Sequence, residues 1–314
     1  MAQGQITLSE INSQPQIWRE ALAGFESQSA EVLHFWSDGA FEQVLFTGCG
    51  STYYLGVMAA ALLQAETGVP ARALSASELM LFPEANYSSE RRTLLICLSR
   101  SGTTRETNEA VRQFRQHGSG SVLVITCDSQ SPLAQSADLL LAIDAAQEQS
   151  RVQTRSFSSM AVTATALAAV CAGRDWRPLT GLPTALEQLM ARSETVVQSF
   201  GGDTSIHQFA FLGSGARYGI ASEAMLKMTE MSRIFSTSYA ILEYLHGPHY
   251  AADAHTLVAA LVSDAAAGEE WTTLARLRGR PCQVLTLAEG YAPADLRRVR
   301  PTCHWSPACR NGAG

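Results

Sequence analysis

Short apolar runs and longer amphipathic stretches alternate along most of the chain. The apolar runs predict β-strands, which in the first half lie at 41–46, 70–74, 93–98, 121–127 and 139–143. The longer stretches predict helices at 53–67, 105–117 and 158–172. Residues 1–35 also have apolar positions at helical spacing, with Pro15 near a helix start. Such alternation is typical of an α/β protein, in which a parallel sheet carries helices on both faces.

One segment of this pattern recurs later in the chain. Phe46–Tyr53 and Phe211–Tyr218 match at the phenylalanine, at both glycines and at the tyrosine, and each leads into a predicted long helix. An internal repeat of this kind predicts two domains of similar topology. The predicted division is a helical lead at 1–35, a first domain at 36–173, a linker at 174–190, a second domain at 191–300 and an atypical tail at 301–314.

Composition limits the class of protein. The chain has 314 residues, of which 46% are hydrophobic and 17% are charged, and its formal net charge is −6. This balance is typical of a globular protein, and the negative charge without a basic cluster argues against a nucleic-acid partner. No apolar run approaches the roughly 18 residues of a membrane span, and no secretory segment opens the chain. We therefore expect a cytoplasmic protein without a membrane partner.

The cysteines give no sign of a metal site. All seven are scattered, without C-x-x-C spacing or a histidine at metal-ligand distance, which argues against bound zinc and against a disulfide framework. Cys49, Cys97 and Cys127 lie in or beside predicted strands, where free thiols act as small hydrophobic groups.

Two turns rich in glycine and hydroxyl residues follow predicted strands. Thr47–Thr52 precedes the helix at 53–67, and Ser99–Thr104 precedes the helix at 105–117. In an open α/β sheet, ligands bind where such loops meet at the carboxyl ends of neighbouring strands. Backbone N–H groups, hydroxyls and the positive end of a helix dipole suit a phosphate, and Arg100 adds a fork for oxyanions. A hydroxyl cap on a helix, without any ligand, is the alternative.

These turns differ from nucleotide-binding loops and from their counterpart in the second half. The third glycine falls at Gly56, two residues beyond its place in G-x-G-x-x-G, and the P-loop lysine is absent. In the second half, the strand at 257–262 runs into Ser263 and Asp264, so the hydroxyl-rich turn is missing and a carboxylate would repel phosphate. We expect only the first domain to bind an anion.

Candidate acid–base residues lie in the second domain. Glu223, Lys227 and Glu230 are spaced i, i+4 and i+7, which places them on one helix face. A carboxylate beside a lysine is an arrangement that a general base needs, and Lys227 is the only lysine in the chain. A solvated Glu–Lys–Glu stripe is the alternative. His246 stands before Gly247–Pro248, whose turn favours a defined side-chain direction, although a lone histidine is more often structural.

Taken in order, these motifs resemble the double sugar-isomerase (SIS) domain family. Over about Val44–Thr286 the chain is similar to the isomerase half of glutamine–fructose-6-phosphate transaminase and to stand-alone amino-sugar-phosphate deaminase/isomerases. The resemblance implies two SIS-type doubly wound parallel-sheet domains. It also implies proton transfer by Glu230, ring opening by His246 and a catalytic role for Lys227. The residues that it implies for binding the sugar phosphate are Cys49, Gly50, Ser51, Thr52, Ser99, Arg100, Ser101, Gly102, Thr104 and, before Thr154–Phe157, Glu148.

The same resemblance implies a function. The N-terminus has no cysteine nucleophile, and in this it is similar to the ammonia-independent or deaminating members. We therefore expect a homodimeric isomerase or deaminase of a hexose or hexosamine 6-phosphate, which needs neither metal nor organic cofactor. The ring-opening histidine is expected to reach the site of the neighbouring subunit. The tail at 301–314 lacks the family's usual helix and lysine, which favours the alternative of a phosphosugar-binding protein without turnover.

Overall fold

The computed structural model describes residues 4–289 and 302–305. The chain divides into two compact units, Met1–Leu186 and Glu187–Gly314. The helices of the first unit are α1 (Gln5–Gly39), α2 (Ser51–Thr67), α3 (Ala76–Leu81), α4 (Pro83–Asn86), α5 (Arg105–His117), α6 (Pro132–Gln135) and α7 (Arg155–Cys171). Its strands are β1 (Gln43–Gly48), β2 (Ala71–Ser75), β3 (Arg92–Ser99), β4 (Ser119–Thr126) and β5 (Leu139–Ala142).

The five strands of the first unit form one parallel sheet in the order β2-β1-β3-β4-β5. In β3, every residue after Arg92 is buried, as expected for a parallel strand covered on both faces. Helix α5 buries Ala110, Val111 and Phe114 in the same core cluster as Leu45 of β1. Helix α7 packs against α1 and α2. The five strands and the helices predicted at 53–67, 105–117 and 158–172 are confirmed to within three residues, and α5 matches at both ends. The helix expected at 1–35 runs from Gln5 to Gly39, four residues later at each end.

The second unit repeats this topology. Helix α8 (Leu182–Gly201) contains the division between the units, and α9 (Ala216–Ser232) and α10 (Ala267–Arg276) follow it. The strands are β6 (Gln208–Gly213), β7 (Phe235–Tyr239), β8 (Thr256–Leu261), β9 (Gln283–Glu289) and β10 (Thr302–Trp305). They form a parallel sheet in the order β7-β6-β8-β9-β10. Counted from its own first strand, this is the order of the first unit, which agrees with the predicted repeat.

The repeated glycines explain why the motif recurs. Gly50 and Gly215 stand before α2 and α9 with nearly the same backbone, φ 56° and ψ −121° in one and φ 56° and ψ −132° in the other. Only glycine adopts such angles without strain. A Cβ on Gly48 would lie 2.5 Å from the Thr52 hydroxyl, and one on Gly213 would lie 2.4 Å from a helix carbonyl. Both glycines are therefore required by the tight passage from strand to helix.

The sequence predicted Pro15 near a helix start, and the structure differs. Helix α1 begins at Gln5 and Pro15 lies inside it. Proline has no N–H for the carbonyl four residues earlier, which is that of Ile11. The Gln14 side-chain amide donates to that carbonyl at 2.9 Å. This substitute hydrogen bond makes an interior proline tolerable.

Two further segments differ from their predictions. Much of the expected linker at 174–190 is helical, because α8 begins at Leu182 and Pro183 lies in its first turn, where a missing N–H costs nothing. The second domain was predicted to end at 300, yet β10 pairs with β9 and extends the sheet into the expected tail. The rest of the predicted tail lies outside the described residues. No helix in the described ranges combines the length and apolarity needed to cross a membrane.

Candidate functional site

The two glycine- and hydroxyl-rich turns lie side by side in the first unit. They follow β1 and β3, which are adjacent parallel strands with Thr47 opposite Cys97. The strand order reverses between these two strands, since β2 follows β1 in the chain but pairs on its other side. In open α/β sheets, ligands bind at this reversal, beyond the carboxyl ends of the strands. The two turns therefore lie at the same edge of the sheet, beyond the ends of neighbouring strands.

The Ser99–Thr104 turn is shaped by its own hydroxyl groups. The Gly102 amide donates to Ser99 Oγ at 3.0 Å, and the amide and hydroxyl of Thr103 donate to Ser101 Oγ at 3.3 and 3.0 Å. Gly102 has φ +60°, and a Cβ there would lie 1.9 Å from Ser131 Oγ. The turn is thus fixed before any ligand arrives, and Gly102 contributes backbone shape only.

Helix α5 starts directly after this turn without a side-chain cap. The first N–H groups of a helix have no partner within the helix and attract anions. Thr104 occupies the N-cap position, but its hydroxyl does not cap the helix. Asn108, which sequence reasoning missed, donates to the carbonyls of Gly102 and Thr104 at 3.1 and 2.9 Å. Its amide therefore holds the turn on the helix, while Ser101 and Thr104 remain partly exposed.

The 49–52 turn is held by Thr52. Its hydroxyl accepts from the Cys49 amide at 2.9 Å and donates to the Cys49 carbonyl at 3.0 Å. Thr52 is expected to bind the ligand; in the structure its hydroxyl is buried, and its proton is donated within the turn. The Cys49 thiol lies 3.8 Å from the Thr107 hydroxyl, and burial raises its pKa. Cys49 is therefore a neutral thiol at neutral pH. Ser51 is also buried, while Gly50 supplies the backbone angles described above.

The sequence predicted that Arg100 offers its guanidinium to an anion. In the structure this group contacts backbone carbonyls of the protein. Its Nη1 donates to the carbonyls of Ser150 and Arg151 at 2.9 and 3.2 Å. The same nitrogen lies 3.8 Å from Glu148 Oε2. The guanidinium thus engages the segment at 147–155, about fifty positions along the chain. Sequence spacing alone gave no signal for this contact.

Glu148, which the resemblance implies for binding the sugar, caps a helix with its buried side chain. Its side chain has no exposed surface. Oε1 accepts from the Thr154 amide and hydroxyl at 2.7 and 2.6 Å and from the Arg155 amide at 2.9 Å. Ser156 donates to the other oxygen. The carboxylate therefore satisfies the N-terminal N–H groups of α7.

The charged residues of α9 share one face, as predicted. Lys227 Nζ lies 3.3 Å from Glu223 Oε1 and 2.5 Å from Glu230 Oε2. The exposed fraction of the side chain is 7% for Glu223 and 38% for Glu230. Lys227 thus forms an ion pair with each of the two carboxylates. The outer carboxylate is therefore both ion-paired and open to solvent.

His246 is exposed at a sharp bend in the second unit. It follows the 3₁₀ turn Glu243–Leu245, and Gly247 has φ +132° before the 3₁₀ turn Pro248–Ala251. His249 is buried, with its ring centroid 4.2 Å from that of Tyr250. Within the described residues, His246 and Glu230 make no hydrogen bond to each other. The two histidines thus have different surroundings, and only His246 is open to solvent.

The loop after β8 is the counterpart of the Ser99–Thr104 turn, and it is filled by a carboxylate. The Ser263 amide donates to Glu270 Oε2 at 2.6 Å, and the Ala266 amide donates to Ser263 Oγ at 3.1 Å. Glu270 is completely buried, and Asp264 is exposed beside it. A bound anion would meet two negative charges here.

Comparison with known proteins identifies the first unit. Residues 41–172 match the profile of the SIS domain family. This segment is a SIS domain. The chain is 28% identical over 258 residues to glutamine–fructose-6-phosphate aminotransferase (isomerizing) of Pseudomonas aeruginosa, covering 77% of this chain and 42% of that protein. With the Escherichia coli O157:H7 enzyme it is 27% identical over 310 residues, covering 92% of this chain and 50% of that protein. The chain is thus homologous to the isomerase domain of these enzymes and spans about half of their length or less.

Solved structures share the fold of this chain. Tagatose-6-phosphate ketose/aldose isomerase from Escherichia coli superposes with a TM-score of 0.88 at 22% identity, over 98% of this chain and 87% of that chain. Glucosamine-6-phosphate deaminase from Thermotoga maritima superposes with a TM-score of 0.73 at 27% identity, over 85% of this chain and 84% of that chain. The SIS family predicted from the sequence motifs is confirmed for residues 41–172.

Proposed function

We propose that this SIS protein is an isomerase or deaminase of a hexosamine 6-phosphate or a related sugar-phosphate amine. The observation that carries the proposal is the Ser99–Thr104 turn. It lies at the sheet's topological reversal, its hydroxyls fix its shape, and it leads into an uncapped helix. A phosphate monoester brings the charge and the acceptor oxygens that such donors bind. Ser101, Thr104 and the first N–H groups of α5 are the proposed phosphate ligands.

The proposed chemistry uses groups of the second unit, as the resemblance implies. His246 moves a proton during ring opening. Glu230 then removes a proton from C2 of the open-chain amino sugar and returns it to C1, so that the amine becomes a C2 imine. Water adds to this imine, and ammonia and the ketose 6-phosphate are released. The ion pair with Lys227 holds the Glu230 side chain in position for both proton transfers.

Two relatives support this substrate class over a simple sugar phosphate. One aligned structure is a glucosamine-6-phosphate deaminase, and the curated relatives are isomerizing aminotransferases of fructose 6-phosphate by name. The test is a panel of hexosamine 6-phosphates incubated in ²H₂O with the purified chain. We expect ammonia release and deuterium at C1 of the ketose product. If no substrate gives either signal although it binds, the chain is a phosphosugar-binding protein instead.

The proposal includes a homodimer in which His246 serves the neighbouring subunit. Chains carrying Glu230→Gln and chains carrying His246→Ala are each expected to be inactive. Mixing them under subunit exchange is expected to restore about a quarter to a half of activity, because some sites then receive both intact residues. Unchanged inactivity after verified exchange would show that both residues serve their own subunit.

A further inference from the structure

The segment at 147–155 is held from helix α1 as well as from its own helix. Glu10 Oε1 accepts from the Gln149 amide at 2.6 Å and from the Ser150 amide at 3.4 Å. Thr7 and Ser150 share a hydroxyl hydrogen bond of 3.0 Å. Glu10 is buried on a helix that is otherwise amphipathic. Two turns of α1 thus fix one side of the segment.

Arg100 holds the opposite side of the same short stretch. It lies in the Ser99–Thr104 turn, and the Arg100 carbonyl accepts from the Cys127 amide at 3.1 Å, which anchors its backbone to the end of β4. From this anchor, one guanidinium nitrogen reaches both the Ser150 and Arg151 carbonyls. Charge-assisted hydrogen bonds of this kind are roughly twice as strong as neutral ones. The contact therefore joins the Ser99–Thr104 turn, which we call the phosphate turn, directly to the 147–155 segment.

Arg100 also balances a buried charge. The Glu148 carboxylate has no exposed surface, and Arg100 is the basic side chain in its ion pair, at 3.8 Å. A buried carboxylate that loses its counter-charge is strongly destabilising unless the surrounding structure rearranges. Removing the guanidinium would thus loosen the segment both at its carbonyls and at its buried acid.

We propose that Arg100 is a positioning residue that clamps the 147–155 segment onto the phosphate turn and does not itself bind the phosphate. The inference rests on the proposed function, which assigns the turn to phosphate, and it adds that the 147–155 segment lies beside the sugar. The clamp holds the Ser99–Thr104 turn and the 147–155 segment in a fixed position relative to each other. A substrate is then recognised at its phosphate and at its sugar by a single ordered surface.

The decisive variant is Arg100→Lys, which keeps the positive charge but loses the guanidinium nitrogen that donates to both carbonyls. Arg100→Gln removes the charge and the guanidinium together. Arg115→Lys is the matched control, since Arg115 also donates to a carboxylate and a carbonyl, those of Asp138 and Ser136. Each full-length variant is titrated with inorganic phosphate and with glucosamine 6-phosphate, and its amide hydrogen exchange is followed by mass spectrometry.

For Arg100→Lys we expect inorganic phosphate to bind within about twofold of wild type, and glucosamine 6-phosphate about tenfold more weakly. Hydrogen exchange in peptides covering 147–155 should accelerate about tenfold, with β4 unchanged. Arg100→Gln should accelerate exchange at least as much, and Arg115→Lys should change none of these values at the 147–155 segment.

Two results would overturn the proposal. Equal weakening of both ligands in Arg100→Lys would make Arg100 a phosphate ligand, and wild-type exchange in both Arg100 variants would show that no clamp exists. Failure of the proposed phosphate site looks different: the wild-type chain would then bind neither probe. In that case the exchange comparison still decides whether Arg100 orders the segment.

Discussion

The two units share a strand order but treat the same loop in opposite ways. In the first unit, hydroxyl groups shape the turn after β3 and leave the N-terminus of α5 without a side-chain cap. In the second unit, the loop after β8 uses a buried carboxylate of its own helix, Glu270, as the acceptor. One loop is open to an external anion, and the other already contains an internal one.

This difference shows how a duplicated fold divides its tasks. The glycine passage from strand to helix is the same in both units, so the shared sequence maintains the backbone. What distinguishes the units is the chemistry carried on that backbone. A carboxylate in the second loop removes any need for a bound anion there, while α9 carries the Glu–Lys–Glu face.

The largest effect is expected for Glu230→Gln, which tests the role given to the second unit. The amide keeps the size of the side chain but cannot accept a proton, so turnover should fall about 10²-fold or more while phosphate binding remains. Solvent deuterium should no longer enter the sugar. Glu269→Gln, at an exposed position of α10, is the control and should keep full activity. Wild-type exchange of deuterium in Glu230→Gln would make this carboxylate structural.

Glu270→Ala tests the internal anion of the second unit. The change leaves the buried Ser263 amide without its acceptor, so the free energy of unfolding should fall by about 2 kcal/mol in urea denaturation. Phosphate affinity should not change, because the proposed phosphate ligands lie in the first unit. Exposed Glu269→Ala should stay within about 0.5 kcal/mol of wild type. Equal stability of the two variants would mean that the carboxylate does not hold this loop.

Ser101→Ala tests the open turn of the first unit. Loss of the hydroxyl removes one hydrogen bond to an anion, so inorganic phosphate and hexose 6-phosphates should bind about tenfold more weakly by calorimetry. The matched change in the second unit, Ser263→Ala, should leave both affinities within about twofold, measured where the chain is folded. Similar losses in both variants would contradict the assignment of the anion to one unit.

The smallest effect is expected for the alkylation rates of two thiols, one in each unit. Burial raises the pKa of both Cys49 and Cys282. Both thiols therefore stay protonated at neutral pH, and their alkylation by iodoacetamide should keep accelerating with pH beyond the range of an ordinary thiol. Saturating phosphate should slow alkylation of Cys49 about threefold and leave Cys282 unchanged, as read by peptide mass spectrometry. Equal protection of the two would place the anion elsewhere.

Local patterns predicted most of the first unit. Helix α5 was predicted at both ends because its apolar face is strongly periodic and glycines lie just outside it. The paired turns were recognised because their glycines and hydroxyls act within four residues of each other. The Lys227 pairs were recognised for the same reason, since they lie within one or two helical turns.

Sequence patterns did not predict contacts between distant segments, and they did not predict where a residue lies within its helix or strand. Arg100 and Glu148 were assigned to the ligand because both suit anions or sugars, but their partners depend on how β3 and the 147–155 segment come together in space. The proline and glycine residues near 181–183 were interpreted as a linker, although Pro183 is compatible with a first helical turn. Strand β10 has no sequence signal of its own and is defined by pairing with β9.

The solitary lysine makes this protein unusually simple to label. Lys227 carries the only ε-amino group in the chain, and that amine lies beside the carboxylate of Glu230. Reductive methylation with ¹³C-formaldehyde would therefore place a single side-chain NMR reporter at the proposed acid–base centre. The chemical shift of that methyl group would follow the ionisation of its neighbours, and an added sugar phosphate would be visible there without any mutation.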